Sequence, residues 1–167
     1  SSKLSEFGSK VDELEKLRKV ADEGGDVGKV VDELTVIKKT DEFTQYVKIL
    51  RKKVNPRRDY PDGIFEKHVT GDDIQYEAIG GGEKIWADGV DAGKRALLDA
   101  KHNPGTFYTL DSYTQKPFLY GDLEEEFRRY SKIIADPSNP TEELIIYISQ
   151  ENQNSVKLFE HLGTKYN

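Results

Sequence analysis

Apolar residues recur at helical spacing through the first fifty positions. Leu4, Phe7, Val11, Leu14 and Leu17 form one stripe, and Val27, Val30, Val31, Leu34 and Ile37 form another, with Gly24 and Gly25 breaking the pattern between them. Thr40 is an N-cap candidate for a third helix that carries Phe43, Val47 and Leu50 until Pro56 interrupts it. The N-terminal third thus reads as a helical module, residues 1–57, and its alternating lysines and glutamates mark solvated faces.

After "NPRRDYPDG" the period changes. "PDGIFEKHVTG" predicts a short helix with Asp62 near its start and Gly71 past its end. "DIQYEAI" alternates, with Ile74, Tyr76 and Ala78 on one side and Asp73, Gln75 and Glu77 on the other, as a half-exposed strand does. Gly80 to Gly82 supply a hairpin turn, "KIWADGV" a second strand, "VDAGK" another turn and "RALLDAK" a third strand. Beyond a loop rich in aromatic residues, Leu123, Phe127, Tyr130 and Ile134 predict a helix that ends at "DPSNP". "ELIIYIS" reads as a strand buried on both faces, and Val156, Phe159 and Leu162 line a closing helix with Gly163 as its stop. From Gly63 on, the order is helix, three meandering strands, helix, strand, helix, which is an α/β (α+β) arrangement.

The length of 167 residues allows one or two small domains. No cysteine is present, which excludes disulfides, thiolate metal sites and cysteine nucleophiles, so any metal must sit on oxygen or histidine. Methionine is absent too, and the chain reads as a segment excised from a longer protein. No apolar run approaches the roughly 20 residues of a membrane span, and the N-terminus lacks a signal-peptide pattern. A formal net charge of -6 argues against coating nucleic acid by bulk electrostatics. A local exception is the run Lys48, Arg51, Lys52, Lys53, Arg57 and Arg58, which reads equally as a solvated helix face with a charged exit or as a phosphate contact.

The chemistry lies in the second and third strands. Alternation puts Leu97, Asp99 and Lys101 on one face, and Trp86, Asp88 and Val90 on one face of the preceding strand. If the two strands pair through the "VDAGK" turn, Asp88 and Asp99 lie opposite each other with Lys101 beside them. Two carboxylates that close repel unless a cation sits between them, so Asp88 and Asp99 form a candidate Mg²⁺ site of hard oxygen ligands. A bound metal would lower the pKa of a water and polarise a phosphate oxygen, while Lys101 orients that water or stabilises developing charge. A surface ion pair at a strand end is the competing explanation for Asp99 and Lys101, and Glu66 in the short helix before the sheet weighs against it.

"GIFEKHV", "IWADGVD", "ALLDAKH" and "EEEFRRYSKIIADPSNP", followed by a strand and a helix, resemble the restriction-endonuclease-fold, PD-(D/E)xK, nuclease domains at the C-termini of bacterial polymorphic toxins. The resemblance covers roughly residues 60–167 and implies a nuclease domain over 58–167 whose mixed central sheet is flanked by helices. It matches Asp88 to the metal-binding aspartate, Asp99 to the signature acid, Lys101 to the signature lysine and Glu66 to the acid of the first helix. Ala87 stands where the family name has proline, and Asp91 is a rival to Asp88 that falls on the opposite parity. Implied with these are a Mg²⁺- or Mn²⁺-dependent endonuclease, with DNA as the expected substrate and tRNA as the alternative, used in interbacterial competition such as contact-dependent growth inhibition. Further implications are delivery as part of a larger secreted or cell-surface effector, action in the target-cell cytoplasm, and neutralisation by a cognate immunity protein. From a different class comes a non-enzymatic binding module whose helices recruit a partner.

His68, His102 and His161 are too scattered for a zinc or ββα-metal motif. His102 flanks Lys101 and is a candidate substrate contact, as are Arg128 and Arg129 on the following helix, for which a charged outer face is the alternative. Tyr108, Tyr113 and Tyr120 either stack bases or cap the core. "IGGGEK" lacks phosphate-loop spacing and reads as a turn.

Overall fold

The structure, a computed structural model, describes residues 27–167. The Leu4 to Leu17 stripe and the Gly24–Gly25 break lie outside the described residues. The chain falls into two compact units, Ser1–Glu42 and Phe43–Asn167. Helix α1 (Val27–Ile49) is continuous through Thr40, where a separate helix was expected to start. Lys38 to Asp41 contain neither glycine nor proline, and a threonine inside a helix costs only about 0.5 kcal/mol, too little to stop propagation. Of the first unit, α1 up to Glu42 is described, with Lys38 and Glu42 forming an exposed pair at 4.0 Å.

The second unit starts with the end of α1. Strand β1 (Lys52–Val54) and helix α2 (Pro61–Thr70) follow, then β2 (Ile74–Gly80), β3 (Glu83–Ala87), β4 (Gly89–Asp91) and β5 (Ala96–Lys101). Helix α3 (Leu110–Gln115) and a 3₁₀ turn (Pro117–Tyr120) lead into α4 (Gly121–Ala135), and β6 (Glu143–Ile148), a second 3₁₀ segment (Gln150–Ser155) and α5 (Val156–Lys165) close the chain. The sheets have orders β1-β2-β3, all antiparallel, and β4-β5-β6, in which β5 and β6 run parallel. Helices and a mixed sheet are present as the sequence predicts. Among the described residues no helix is long and apolar enough to cross a membrane.

Several local expectations give way. "KIWADGV" is broken at Asp88, so the meander becomes two three-stranded sheets. Asp88 uses its own amide on the Leu98 carbonyl, 2.9 Å away, and the next residue, Gly89, is buried where a Cβ would lie 2.9 Å from the Thr70 side chain. The basic run after α1 is a strand, because Lys52–Val54 finds the free edge of β2. β6 is partly exposed along its length, since it lies at the edge of its sheet. α5 runs past Gly163 to Lys165, and in α4 it is Ile133, not Ile134, that is fully buried. The Gly80–Gly82 hairpin is as expected: Gly80 pairs with Glu83, and Gly81 and Gly82 take φ of 54° and 78°.

Three packed clusters hold the second unit together. Tyr113, Tyr120, Leu123, Phe127, Leu158, Phe159 and Leu162 bind α3, α4 and α5, so of the three loop tyrosines Tyr113 and Tyr120 serve the core, and Tyr108 packs against it. Ala78, Ala87, Leu97, Tyr130 and Ile133 seat α4 on both sheets. Phe43, Tyr46 and Leu50 anchor the end of α1, and the Tyr46 hydroxyl donates to the Ile79 carbonyl at 2.8 Å.

Helix α2 carries Glu66, so its seat matters to everything below. Pro61 opens it and Gly71, at φ 95°, caps it. Gly63 is buried against the chain at Arg57 and Arg58: a Cβ there would stand 1.9 Å from the Arg57 carbonyl oxygen. Alanine favours a helix interior by about 1 kcal/mol over glycine, but a backbone collision at this distance costs more and forces helix and loop apart. Gly63→Ala is therefore expected to destabilise the protein by about 2 kcal/mol, read as a lowered urea midpoint; an unchanged or raised midpoint would refute this seating.

Candidate active site

The site is built where β4 leaves β3. Gly89 pairs with Leu98 and Val90 with Leu97, and continuing that register by one residue sets Asp88 opposite Asp99. The Ala100 amide donates to Asp88 Oδ2 at 2.7 Å, which fixes the carboxyl against the end of β5. Strand alternation places Lys101 on the Asp99 face, with Nζ 3.0 Å from Asp99 Oδ2. From α4, Glu126 Oε1 accepts from the same ammonium at 2.5 Å. From α2, Glu66 is buried and accepts from Gln75 Nε2 at 2.9 Å and from Asn55 Nδ2. Gln75 also donates to Asp88 Oδ1 at 3.3 Å, linking the Glu66 end of the cluster to the Asp88–Asp99 pair.

So Glu66, Asp88, Asp99 and Lys101 are drawn into one connected group. His102 lies beside it, with Nδ1 2.9 Å from Ser149 Oγ and Nε2 3.8 Å from Glu151. It lines a groove of about 840 Å³ with Ile64, Phe65, His68 and Tyr147. Arg128 and Arg129 are engaged elsewhere: Arg128 bonds Glu83 at 2.8 Å and also Glu125, and Arg129 lies 3.2 Å from Glu125. Asp91 accepts from the Lys94 amide in the β4–β5 turn. Sequence reasoning did not nominate Glu126, Gln75 or Asn55. Glu126 had a signal, because it stands three residues after Leu123 and four before Tyr130, an acid beside the buried stripe of its helix. Asn55, in an irregular segment, had none.

Four carboxyls and one ammonium in a mostly buried space cannot all keep their ordinary charges. Burial, and then the charge of Asp99, push the Asp88 carboxyl up to about 10. Burial also works against an ionised Asp99, but the Lys101 ammonium and the hydrogen bonds around it outweigh that and hold its pKa below the ordinary value. Burial opposes the charge on Lys101 as well, yet Asp99 and Glu126 keep it cationic and above the ordinary lysine range. Burial followed by Asp99 raises Glu126 to about 8, with Lys101 pulling the other way. The environment thus favours an ionised Asp99 beside a charged lysine and draws Asp88 and Glu126 toward their protonated forms.

The donor set fits a hard divalent cation, since Asp88 and Asp99 meet as two carboxylates in contact. Asp99 Oδ2 is buried with the lysine charge near it but accepts no well-aligned hydrogen bond, which leaves it a lone pair for a further partner. Among the described residues no three acidic or histidine side chains already stand together as a metal cage. The amide of Gln75 and the ammonium of Lys101 hold the carboxylates in pairs instead.

A family model described as restriction endonuclease fold toxin 2 matches residues 61–167, well over half of the chain. No curated protein and no solved structure matches.

The protonated carboxyls predict a pH dependence of stability. Asp88 and Glu126 have raised pKa values in the folded state, so between about pH 4 and pH 8 the folded chain keeps protons that the unfolded chain has released. Their contribution is complete at low pH and is lost as pH rises. In EDTA the melting temperature should thus fall from pH 5.5 to pH 8, by roughly 3 °C for each kcal/mol lost. Asp88→Asn, which imitates the protonated acid and keeps an acceptor for the Ala100 amide, should melt higher than wild type at pH 8. A variant that melts lower would show that the Asp88 charge supports the fold.

Proposed function

The chain belongs to the restriction endonuclease fold toxin 2 family, and from that membership we propose that it is a metal-dependent endonuclease that hydrolyses phosphodiester bonds in DNA. The observation that carries the proposal is the junction of Asp88, Asp99 and Lys101 at the strand break, with Glu66 tied to it through Gln75. Asp88 and Asp99 would hold Mg²⁺ or Mn²⁺, which when bound supplies a Lewis acid and a water of lowered pKa.

The chain's own groups do the rest. Lys101 is clamped by Asp99 and Glu126, so its charge is fixed in place before substrate arrives and costs no reorganisation. An ammonium has three N–H donors, and the hydrogen bond to Glu126 uses one. Turned toward a phosphate oxygen, the charge of Lys101 would stabilise the negative charge that grows as water attacks phosphorus. Glu66 and Gln75 orient Asp88, and Glu126 positions Lys101. Attack by water requires no neighbouring 2′-hydroxyl, so deoxyribose suffices. In this reading the domain acts in the cytoplasm of a competing bacterium as the delivered part of a larger effector, and an immunity protein protects the producer.

Asp99 is buried and Lys101 is mostly covered, so isosteric variants test chemistry better than truncations do. Plasmid DNA and total tRNA, each incubated with the chain in Mg²⁺ and in EDTA, decide the substrate. We expect Mg²⁺-dependent cleavage of plasmid, reduced at least about 10³-fold by Asp99→Asn and by Lys101→Gln, with circular dichroism unchanged. Cleavage of tRNA alone would move the assignment to an RNase, and no cleavage of either would reject the nuclease reading.

A further inference from the structure

Arg51 and Lys53, at and just before β1, place two cations on the sheet face that leads into the site. Lys53 pairs directly with Gln75, the residue that bonds Asp88, and Glu77 pairs directly with Trp86. The Glu77 amide donates to the Arg51 carbonyl at 2.9 Å. Opposed residues of an antiparallel pair share a face, and so do residues two apart on one strand. One sheet face therefore carries two parallel rows, Lys53–Gln75–Asp88 and Arg51–Glu77–Trp86.

The side chains confirm the rows. Lys53 Nζ stands 4.3 Å from the centre of the Trp86 ring and the Arg51 guanidinium 5.9 Å from it. Lys53 is exposed and, among the described residues, has no carboxylate within ion-pair distance; Arg51 shares Glu77 at 3.7 Å. Two strand spacings separate the backbone of Lys53 from that of Asp88, about 10 Å, so the lysine stands beside the cluster and not in it. From Phe43 to Arg58 the chain has six cations and no acid, in a protein whose net charge is -6. Resting on the Trp86 ring keeps the Lys53 ammonium in one place, so binding an anion there forfeits little side-chain entropy.

We infer that Lys53 and Arg51, gathered around Trp86, form a subsite for the DNA backbone beside the scissile phosphate, with the half-exposed indole beneath the flanking nucleotide. This rests on the nuclease reading and adds to it a strand-tracking contact outside the acid cluster. It also resolves a conflict of charge: the acid cluster repels a polyanion, and this row supplies the attraction next to it.

Trp86 is the only tryptophan in the chain, so its emission reports on this face alone. Unlabelled single-stranded DNA of roughly 20 nucleotides, longer than a typical single-strand site, would be titrated in EDTA while anisotropy of a labelled copy follows binding. We expect quenching of Trp86 that saturates with the anisotropy change. Lys53→Gln should weaken binding about fivefold and reduce the slope of log Kd against log salt by about 0.7, one phosphate contact on a single strand. Lys94→Gln, an equal change of charge in the exposed β4–β5 turn, should leave that slope as it was. Silent Trp86 emission at saturating DNA, or equal effects of the two lysine variants, overturns the subsite while plasmid cleavage still stands. Absence of any DNA binding at about 50 mM salt overturns the subsite as well, and the nuclease reading falls with it only where plasmid cleavage in Mg²⁺ is absent too.

Discussion

Everything in the second unit is arranged around two aspartates that would repel each other if both were ionised. Asp88 and Asp99 face one another because β4 and β5 share a register that brings them level, and because β3 ends one residue earlier. The Asp88 amide and carboxylate are both spent on β5, at the Leu98 carbonyl and the Ala100 amide. Those two bonds turn the chain from one sheet to the other, so the break in the strand and the position of the carboxyl are one feature. Relaxing the repulsion by moving Asp88 away would also undo the transition between the sheets.

The neighbourhood offsets that repulsion by charge and by protons. Lys101 neutralises Asp99 from the same strand, and Glu126 holds Lys101 from α4. Asp88 keeps a proton, and the Gln75 amide sits between it and Glu66. Each partner arrives on a different element, so the helices must be seated closely for the cluster to close. Gly63 lets α2 touch the backbone at Arg57, and Gly81 brings the β2–β3 turn against the Lys132 carbonyl of α4. Glycine at these two places is a requirement of packing at a distance from the chemistry, and it sets where Glu66 and Glu126 end.

How far the sequence could be read follows from which interactions are local. Strand alternation is local, so "ALLDAK" with "WAD" sufficed to place Asp88, Asp99 and Lys101 together. Pro61 and Gly71 bracket α2 within a few residues of Glu66, and that helix was legible for the same reason. Burial of β6 was not, because an apolar run looks alike in the middle of a sheet and at its edge. Thr40 misled because a capping residue specifies a helix start only when something else has stopped the preceding helix. Asn55 and Gln75 reach the site through tertiary contacts between segments of different type, and no spacing rule connects them to Glu66. The short strand β1 was hidden in a run of cations that looked like a solvated helix end, since what makes it a strand is the open edge of β2.

Under the nuclease proposal an acidic protein must meet an acidic polymer. Net charge averages over surfaces that a substrate never touches, and at physiological salt a phosphate senses charges within about 8 Å. The cations nearest the strand break are Lys101 inside the cluster and, two strand spacings away, the basic row of β1 across from Gln75. Carboxylates that repel one another attract divalent cations, and cations on the adjacent strand attract phosphates. A divalent cation would reduce the same electrostatic strain that proton uptake at Asp88 relieves here. The pairing of β4 with β5 gathers acid at the strand break, and the pairing of β1 with β2 sets Lys53 two strands away on the same face, so acid and cation are segregated along one sheet face by two separate pairings.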